Sequence, residues 1–210
     1  LRTNMSQSPW EIFFREKIKK IFTDKESVVD IGGGLRASKD KGNCFDENRV
    51  WIKPLIEKVD YKILDPVSDY NPDIIGGIHN LPFDDDSQEA LVCIAVLEHI
   101  HNPIKACQEM YRVLKPGGYC FVYVPFLYPY HPNPGYYGDY WRFTRETINM
   151  LFEDFSLLEK VKVRGPSETL INLSPFGKIK FLAKIGYYVD KLFLKDKFHG
   201  TSGYNVFLIK

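Results

Sequence analysis

Cysteine is scarce in this 210-residue chain: Cys44, Cys93, Cys107 and Cys120 are scattered, with no C-x-x-C pair. Two of them fall in apolar, strand-like runs where a thiol behaves as a small hydrophobe, which argues for a reducing, cytoplasmic setting over a disulfide framework. The five histidines lack ligand spacing, so no metal is expected. No apolar run approaches eighteen residues and no apolar core follows a basic start, so neither a spanning helix nor a signal peptide is readable. Net charge is nearly absent at +1, although residues 160–210 hold ten Lys or Arg against three acids. That basic tail has no Arg-rich cluster, zinc-finger spacing or RNA-binding motif, which argues against nucleic acid as a partner. No internal repeat or low-complexity segment is present. With 44% hydrophobic residues, the length suits one well-buried domain.

What the chain does have is a ladder, Val28-Val29-Asp30-Ile31-Gly32-Gly33-Gly34. A β-branched run ends in an acid and then a bare backbone turn, whose glycines allow positive φ and leave no Cβ in the way of a ligand. Around it the pattern alternates β and α. A helix starts at Ser8-Pro9-Trp10-Glu11 and runs to about Thr23. Strands are read at 28–31, 61–64, 73–78, 90–97 and 119–124, with helical patterns at 50–59 and from Asn102-Pro103 to a stop at Pro116-Gly117-Gly118. A helix at 145–152, a strand at 157–163, a helical segment at about 175–194 and a strand at 204–209 complete the count. Asp65, closing the second strand, presents two acceptor oxygens suited to the hydroxyls of a ribose, or caps a next helix that Pro66 begins.

Four ordered segments carry a resemblance: VVDIGGG (28–34), ILDP (63–66), NLPFDDDSQEALVCIAVLEH (80–99) and YRVLKPGGYCFVYVPF (111–126). Together they resemble the class I S-adenosylmethionine-dependent methyltransferases, in particular the small subfamily with LPF, LEH and LKPGG signatures. The resemblance implies a Rossmann-like α/β fold with a mostly parallel seven-stranded sheet and an antiparallel C-terminal edge. It also implies that S-adenosylmethionine is the cofactor and S-adenosylhomocysteine the product. Asp30, Gly32, Gly33 and Gly34 would border the methionine part, Asp65 with Pro66 would bind the ribose, Asn80 and Leu81 would flank the adenine, and Ala95 and His99 would complete the pocket. The chain departs from the family pattern in three places. Arg36 replaces a third glycine, Gly32 and Asp65 are further apart than usual, and Gly77 stands where an acid commonly faces the adenine. Residues 35–48 would close the pocket, or it would be looser on two sides.

On this reading the 210 residues form one domain: an N-terminal helix (1–25), a cofactor-binding core (26–126), a substrate loop with a C-terminal helical segment (127–200) and a last strand (201–210). The loop FLYPYHPNPGYYGDYWRF (126–143) is too irregular for a core element and too aromatic for a solvated one. It looks like loops in methyltransferases encoded with surface-polysaccharide enzymes, which suggests O-methylation of a small-molecule acceptor, a sugar or lipid-linked sugar. His131 is the expected base, Asp139 its orienting partner and Arg142 the binder of an anionic group, with Tyr128, Tyr140 and Trp141 against the acceptor. The competing reading pairs Asp139 with Arg142 and puts Trp141 in the core. Glu98 and His99 either act in catalysis, cap the following helix or satisfy each other by hydrogen bonds. Phe176, Ile179, Leu182, Ala183, Tyr187 and Leu194 lie among lysines at nearly helical spacing, which fits a lid or dimer contact better than a membrane surface. The protein is read as a monomer or homodimer. A cofactor-binding protein without turnover is a second reading; a nicotinamide-dependent dehydrogenase is disfavoured because G-x-G-x-x-G fails at Ala37.

Overall fold

A computed structural model describes residues 8–42, 44–175, 177, 179–193 and 200–210. Helix α1 (Pro9–Asp24) starts where proline's fixed φ favours it, although Ser8 makes no capping bond, and it buries Phe14, Ile18, Ile21 and Phe22 along one stripe. Strands β1 (Ser27–Ile31), β2 (Asp60–Asp65), β3 (Ile74–Ile75), β4 (Gln88–Ile94), β5 (Leu114–Pro125), β6 (Leu157–Val163) and β7 (Gly203–Ile209) form one sheet in the order β3-β2-β1-β4-β5-β7-β6. The first five pair in parallel, and β7 runs antiparallel between β5 and β6. This is the Rossmann-like sheet with an antiparallel edge that the sequence implied.

Alternation along the strands sorts the core into two layers. Val28 and Val92 join α1, Phe121 and Phe207 on one face. Val29, Ile31, Leu91, Cys93 and Val122 join α3 (Pro103–Val113) and α4 (Arg145–Leu151) on the other. Strand order reverses between β1 and β4, so a crevice opens beyond their carboxyl ends, the usual ligand position in such sheets.

The elements depart from the sequence reading in four places. The crossover after β1 is a 3₁₀ turn (Glu47–Ile52) running into the single turn α2 (Lys53–Ile56), its cap supplied by Asp46 accepting from Asn48 N–H. The expected third strand shrinks to two residues. Helix α3 stops at Val113, before Pro116, because Leu114 is already extended and paired with Gln88; the KPGG segment is then an irregularity inside β5, between the Gln88 and Ala90 pairings. Finally, two helices replace one at the tail: α5 (Pro166–Leu173) and α6 (Lys180–Phe193), joined where Asp190 accepts from the N–H groups of Ser167 and Glu168. Ile179 and Phe181 are exposed and Tyr187 half-buried. Phe176, Leu194 and the side chain of Ala183 lie outside the described residues.

Phe121 is fully buried and meets the ring of Phe14 edge-on at 5.4 Å between centroids. Phe121→Ala is therefore expected to cost about 3–5 kcal/mol in urea unfolding, whereas a loss below about 1 kcal/mol would mean that α1 is not part of the cooperative core.

Candidate functional site

The glycine turn is shaped from behind by Asp30. Its carboxylate, 0% exposed, accepts from Gly34 N–H (3.0 Å), Leu35 N–H (3.0 Å) and the Tyr61 hydroxyl (2.7 Å). Asp30 thus folds the turn and does not line the crevice. Each glycine answers a different contact. A Cβ at Gly32 (φ +78°) would fall 2.6 Å from Val96 Cγ2, and one at Gly34 would fall 2.6 Å from the Ile94 carbonyl. Gly33 faces the 35–48 segment, where Gly42 Cα comes within 3.3 Å of such a Cβ. Gly42 N–H in turn donates to Tyr70 O (2.8 Å), which ties that segment beside the turn as the sequence allowed. Arg36, in place of a third glycine, takes glycine's left-handed conformation itself (φ +54°).

Beyond Gly32 lies a cavity of about 420 Å³. Asp65 lines it with Pro66. One Asp65 oxygen accepts from Val67 N–H (2.8 Å), the turn-capping bond, and no described side chain or N–H reaches the other. Burial pushes the Asp65 carboxyl up, with the Val67 bond opposing. Gly77, Ile78 and His79 form the far wall, and a Cβ at Gly77 would meet nothing within 4 Å, so the cavity is roomy where an acid commonly stands. Asn80 and Leu81, expected at this wall, are not in it. The Leu81 N–H donates to Glu109 and its carbonyl accepts from Arg112, and this anchoring to α3 turns both residues toward a separate shallow surface. Ile78 and His79, immediately before the expected pair, take the place; nothing in the residue types marked that shift.

The 126–143 loop roofs the cavity with Tyr136, Tyr137, Gly138 and Tyr140. Its centre is a fork: Arg142 Nη1 and Nη2 donate to Asp139 Oδ1 (2.6 Å) and Oδ2 (2.8 Å). Arg142 also donates to the carbonyls of Tyr128, Pro129 and Trp141, so all five donors are taken inside the loop and none is left for an anionic acceptor. The neighbouring guanidinium holds the Asp139 carboxyl well below the usual range. Trp141 is neither core nor cavity wall: it is 43% exposed, with its indole N–H on Ile100 O (2.9 Å). Tyr140 lies on the Gly32 side, stacked near His101, and Tyr128 on the other.

Asp139 lies beside His131. It accepts the His131 backbone N–H (2.8 Å) and stands 3.2 Å from Nδ1, which also contacts Pro129 O (2.9 Å). A carbonyl can only accept, so Nδ1 carries the proton of a neutral ring and Nε2 keeps its lone pair. His99 repeats the pattern, with Nδ1 at 2.6 Å from Gly138 O, and burial lowers its pKa. Both Nε2 atoms stand 3.9 Å from Glu98 Oε1. Glu98 is 1% exposed, and neither carboxyl oxygen has a hydrogen-bond partner. Burial pushes it up to about 8, and the Asp139 charge adds to that. Its backbone carbonyl accepts from Tyr140 and Trp141, which ties the loop down.

A second cavity, about 280 Å³, opens on the other side of Glu98, lined by Arg36, Arg49, Arg164, Tyr123 and Tyr128 among others. It shares three residues with the first: Arg36, Ala95 and His131. Arg36 Nε is buried without a partner, while Arg49, its pKa lowered by burial, has its nearest carboxylate oxygen, from Asp46, only at 3.8 Å. Arg36, Ala95 (φ +56°) and Arg164 (φ +61°) hold left-handed backbones that side chains disfavour, a kind of strain that gathers at functional sites.

Comparison with known proteins agrees with this geometry. Residues 62–122, from β2 to β5, match the family model described as a methyltransferase domain. The demethylmenaquinone methyltransferase of Protochlamydia amoebophila (strain UWE25) is 36% identical over 45 residues, covering 21% of this chain and 19% of that protein. The chain thus matches about a fifth of that curated relative's length. Among solved structures, a SAM-dependent methyltransferase from Archaeoglobus fulgidus superposes with a TM-score of 0.58 at 14% identity, over 95% of this chain and 94% of that one. The cyclase SpnF does so with a TM-score of 0.50 at 18% identity, over 99% and 84%. The fold is that of the class I methyltransferases, and at these identities the fold alone is what the solved structures establish.

Burial holds the folded Asp30 carboxyl at about 6 against an ordinary 3.8, despite its three donors. Between those values the folded chain keeps a proton the unfolded chain has released, so this group's contribution to stability declines as pH rises from about 4 to about 6 and is flat above. Urea unfolding of the wild type and Asp30→Asn across that range is expected to give a stability difference, wild type minus variant, that shrinks and then levels. A difference that grows with pH would show that the three donors outweigh burial.

Proposed function

We propose that the protein is an S-adenosylmethionine-dependent methyltransferase that methylates a hydroxyl of a small, anionic acceptor, such as a sugar or a sugar carrying a phosphate. The observation that carries this is the meeting of two cavities at Arg36, Ala95 and His131. A transferase for two molecules needs two sites with a common wall, and the titratable lone pair in that wall belongs to His131.

The residues of the first cavity fit the cofactor. Gly32 leaves floor space that a Cβ would fill against Val96, and Asp65 offers the ribose an acceptor oxygen that no described protein donor takes up. Ala95 and His99 stand at the near end, and Ile78 and His79 at the far one. When bound, the cofactor supplies an electrophilic methyl on a sulfonium sulfur. The chain's part is alignment and exclusion of water, for which the tyrosine-rich loop forms the roof. In the second cavity Arg36, Arg49 and Arg164 take over the anion-binding role that the sequence reading gave to Arg142. Tyr128 lies against the His131 ring (4.9 Å between centroids), where it would contact the acceptor. His131, held by Asp139, is where the hydroxyl's proton is handled.

Arg36 holds the turn in glycine's left-handed conformation, which removes one of the two grounds for a cofactor-binding protein without turnover; the open wall at Gly77 is the other. Asp65→Ala is expected to weaken S-adenosylmethionine binding roughly 10- to 100-fold by calorimetry. His131→Gln should leave that binding within a few-fold while S-adenosylhomocysteine formation, with sugar phosphates as trial acceptors, falls by about 10²–10⁴. Undiminished turnover in His131→Gln would remove His131 from the chemistry, and tighter binding of a nicotinamide dinucleotide would overturn the reading altogether.

A further inference from the structure

Glu98 poses a problem that the proposed methyl transfer leaves unsolved. A carboxylate 1% exposed with both oxygens unpartnered is rare in a folded protein, because an uncompensated buried polar group costs folding free energy. The groups that face it are two imidazole nitrogens, each at 3.9 Å, and both are lone pairs, since Gly138 O and Pro129 O oblige the opposite nitrogens to carry the protons. Two lone pairs and a carboxyl group need a proton or a cation between them, and at 3.9 Å neither nitrogen is within hydrogen-bond reach of a proton on Glu98.

We infer that Glu98, His99 and His131 form a binding site for a divalent first-row cation. One ligand atom from each residue lies within 4.8 Å of the others. Ligand atoms on a shared ion at about 2.0–2.2 Å stand roughly 3.0–3.5 Å apart, so shifts of well under about 1 Å would close the set. Two histidines and one carboxylate on one side of an ion are a known set for divalent iron and its neighbours, and they leave positions open. The supporting shell is also present: metal-bound histidines ordinarily donate their other N–H to a carbonyl or carboxylate, as His99 does to Gly138 O and His131 to Pro129 O beside Asp139. Glu98, ionised on binding, would supply one negative charge to the ion, since the Asp139 charge is already paired with Arg142. Adjacency in sequence supplies only Glu98 and His99; the third ligand arrives from 32 positions away through the loop fold, which is why histidine spacing gave no sign of it.

The inference rests on the methyltransferase reading for its use and specifies how His131 acts. His131 lines both cavities and Glu98 the second, so an ion held by them would lie beside the proposed acceptor cavity. Two neighbouring hydroxyls of a sugar would fill the ion's open positions, which selects acceptors with a vicinal diol. Held there, one hydroxyl loses its proton near neutral pH: the O–H bond breaks, the electron pair stays on oxygen and the proton passes to water. His131 then promotes deprotonation as a ligand, with Asp139 as a positioning residue behind it.

The test uses the full chain stripped with a chelator, then titrated with Mn²⁺ and followed by calorimetry and electron spin resonance. One equivalent is expected to bind, with a spectrum changed from that of the aqueous ion, and Glu98→Gln and His131→Ala should each weaken binding at least tenfold. Circular dichroism of both variants checks that they fold. Absence of a stoichiometric Mn²⁺ site in the wild type, or a site equally strong in both folded variants, overturns the inference. S-adenosylmethionine binding is measured on the same samples: binding without a Mn²⁺ site removes the ion and leaves the methyltransferase reading standing, whereas a Mn²⁺ site without cofactor binding does the reverse.

Discussion

The site depends on the fork between Asp139 and Arg142. A loop of eighteen residues with prolines, glycines and six Tyr or Trp side chains has no regular backbone ladder to hold it. Its shape comes instead from one guanidinium that takes two carboxylate oxygens and three carbonyls of the same loop. Bidentate, charge-assisted bonds of this kind are strong and fix direction as well as distance. From that knot follow the roof over the first cavity, the placement of His131 opposite Glu98, and the wall the two cavities share. Arg142, expected to hold the acceptor, instead shapes the loop that borders both cavities.

The second organising feature is the Asp30 carboxylate under the glycine turn. It gathers two backbone N–H groups and a tyrosine hydroxyl, and the turn is so tightly wrapped that Val96, Gly42 and Ile94 each abut a different glycine. Backbone freedom is therefore spent on three separate contacts, of which only Gly32's opens on the first cavity. This explains why Arg36 is tolerated two positions beyond the triplet. It has the same left-handed backbone, and its side chain leaves the turn to line both cavities.

Much of this was legible in the sequence, for definite physical reasons. A β-branched run ended by glycines marked β1, a closing acid marked β2, an unbroken apolar run marked β4 although it was read three residues too far, and β6 was placed to the residue. The Asp65 position followed from the end of β2. What failed to show was whatever depends on tertiary contact. Asn80 and Leu81 are turned from the cavity by Glu109 and Arg112, which lie about thirty positions on. Helix α5 is short, and its N-terminus is completed by Asp190 from another helix. The cation ligands come from β4's end and from an irregular loop, and only the fold brings them together.

The central claim is that the cleft above Gly32 holds an adenosyl sulfonium and that the space beyond His131 holds its partner in reaction. A crystal grown with S-adenosylhomocysteine tests it most directly. The account predicts density in the 420 Å³ cavity with the ribose hydroxyls on Asp65 and the sulfur end toward Ala95 and His131. Density seated against Asn80 and Leu81, or a first cavity left without ligand at saturating concentration, would contradict it.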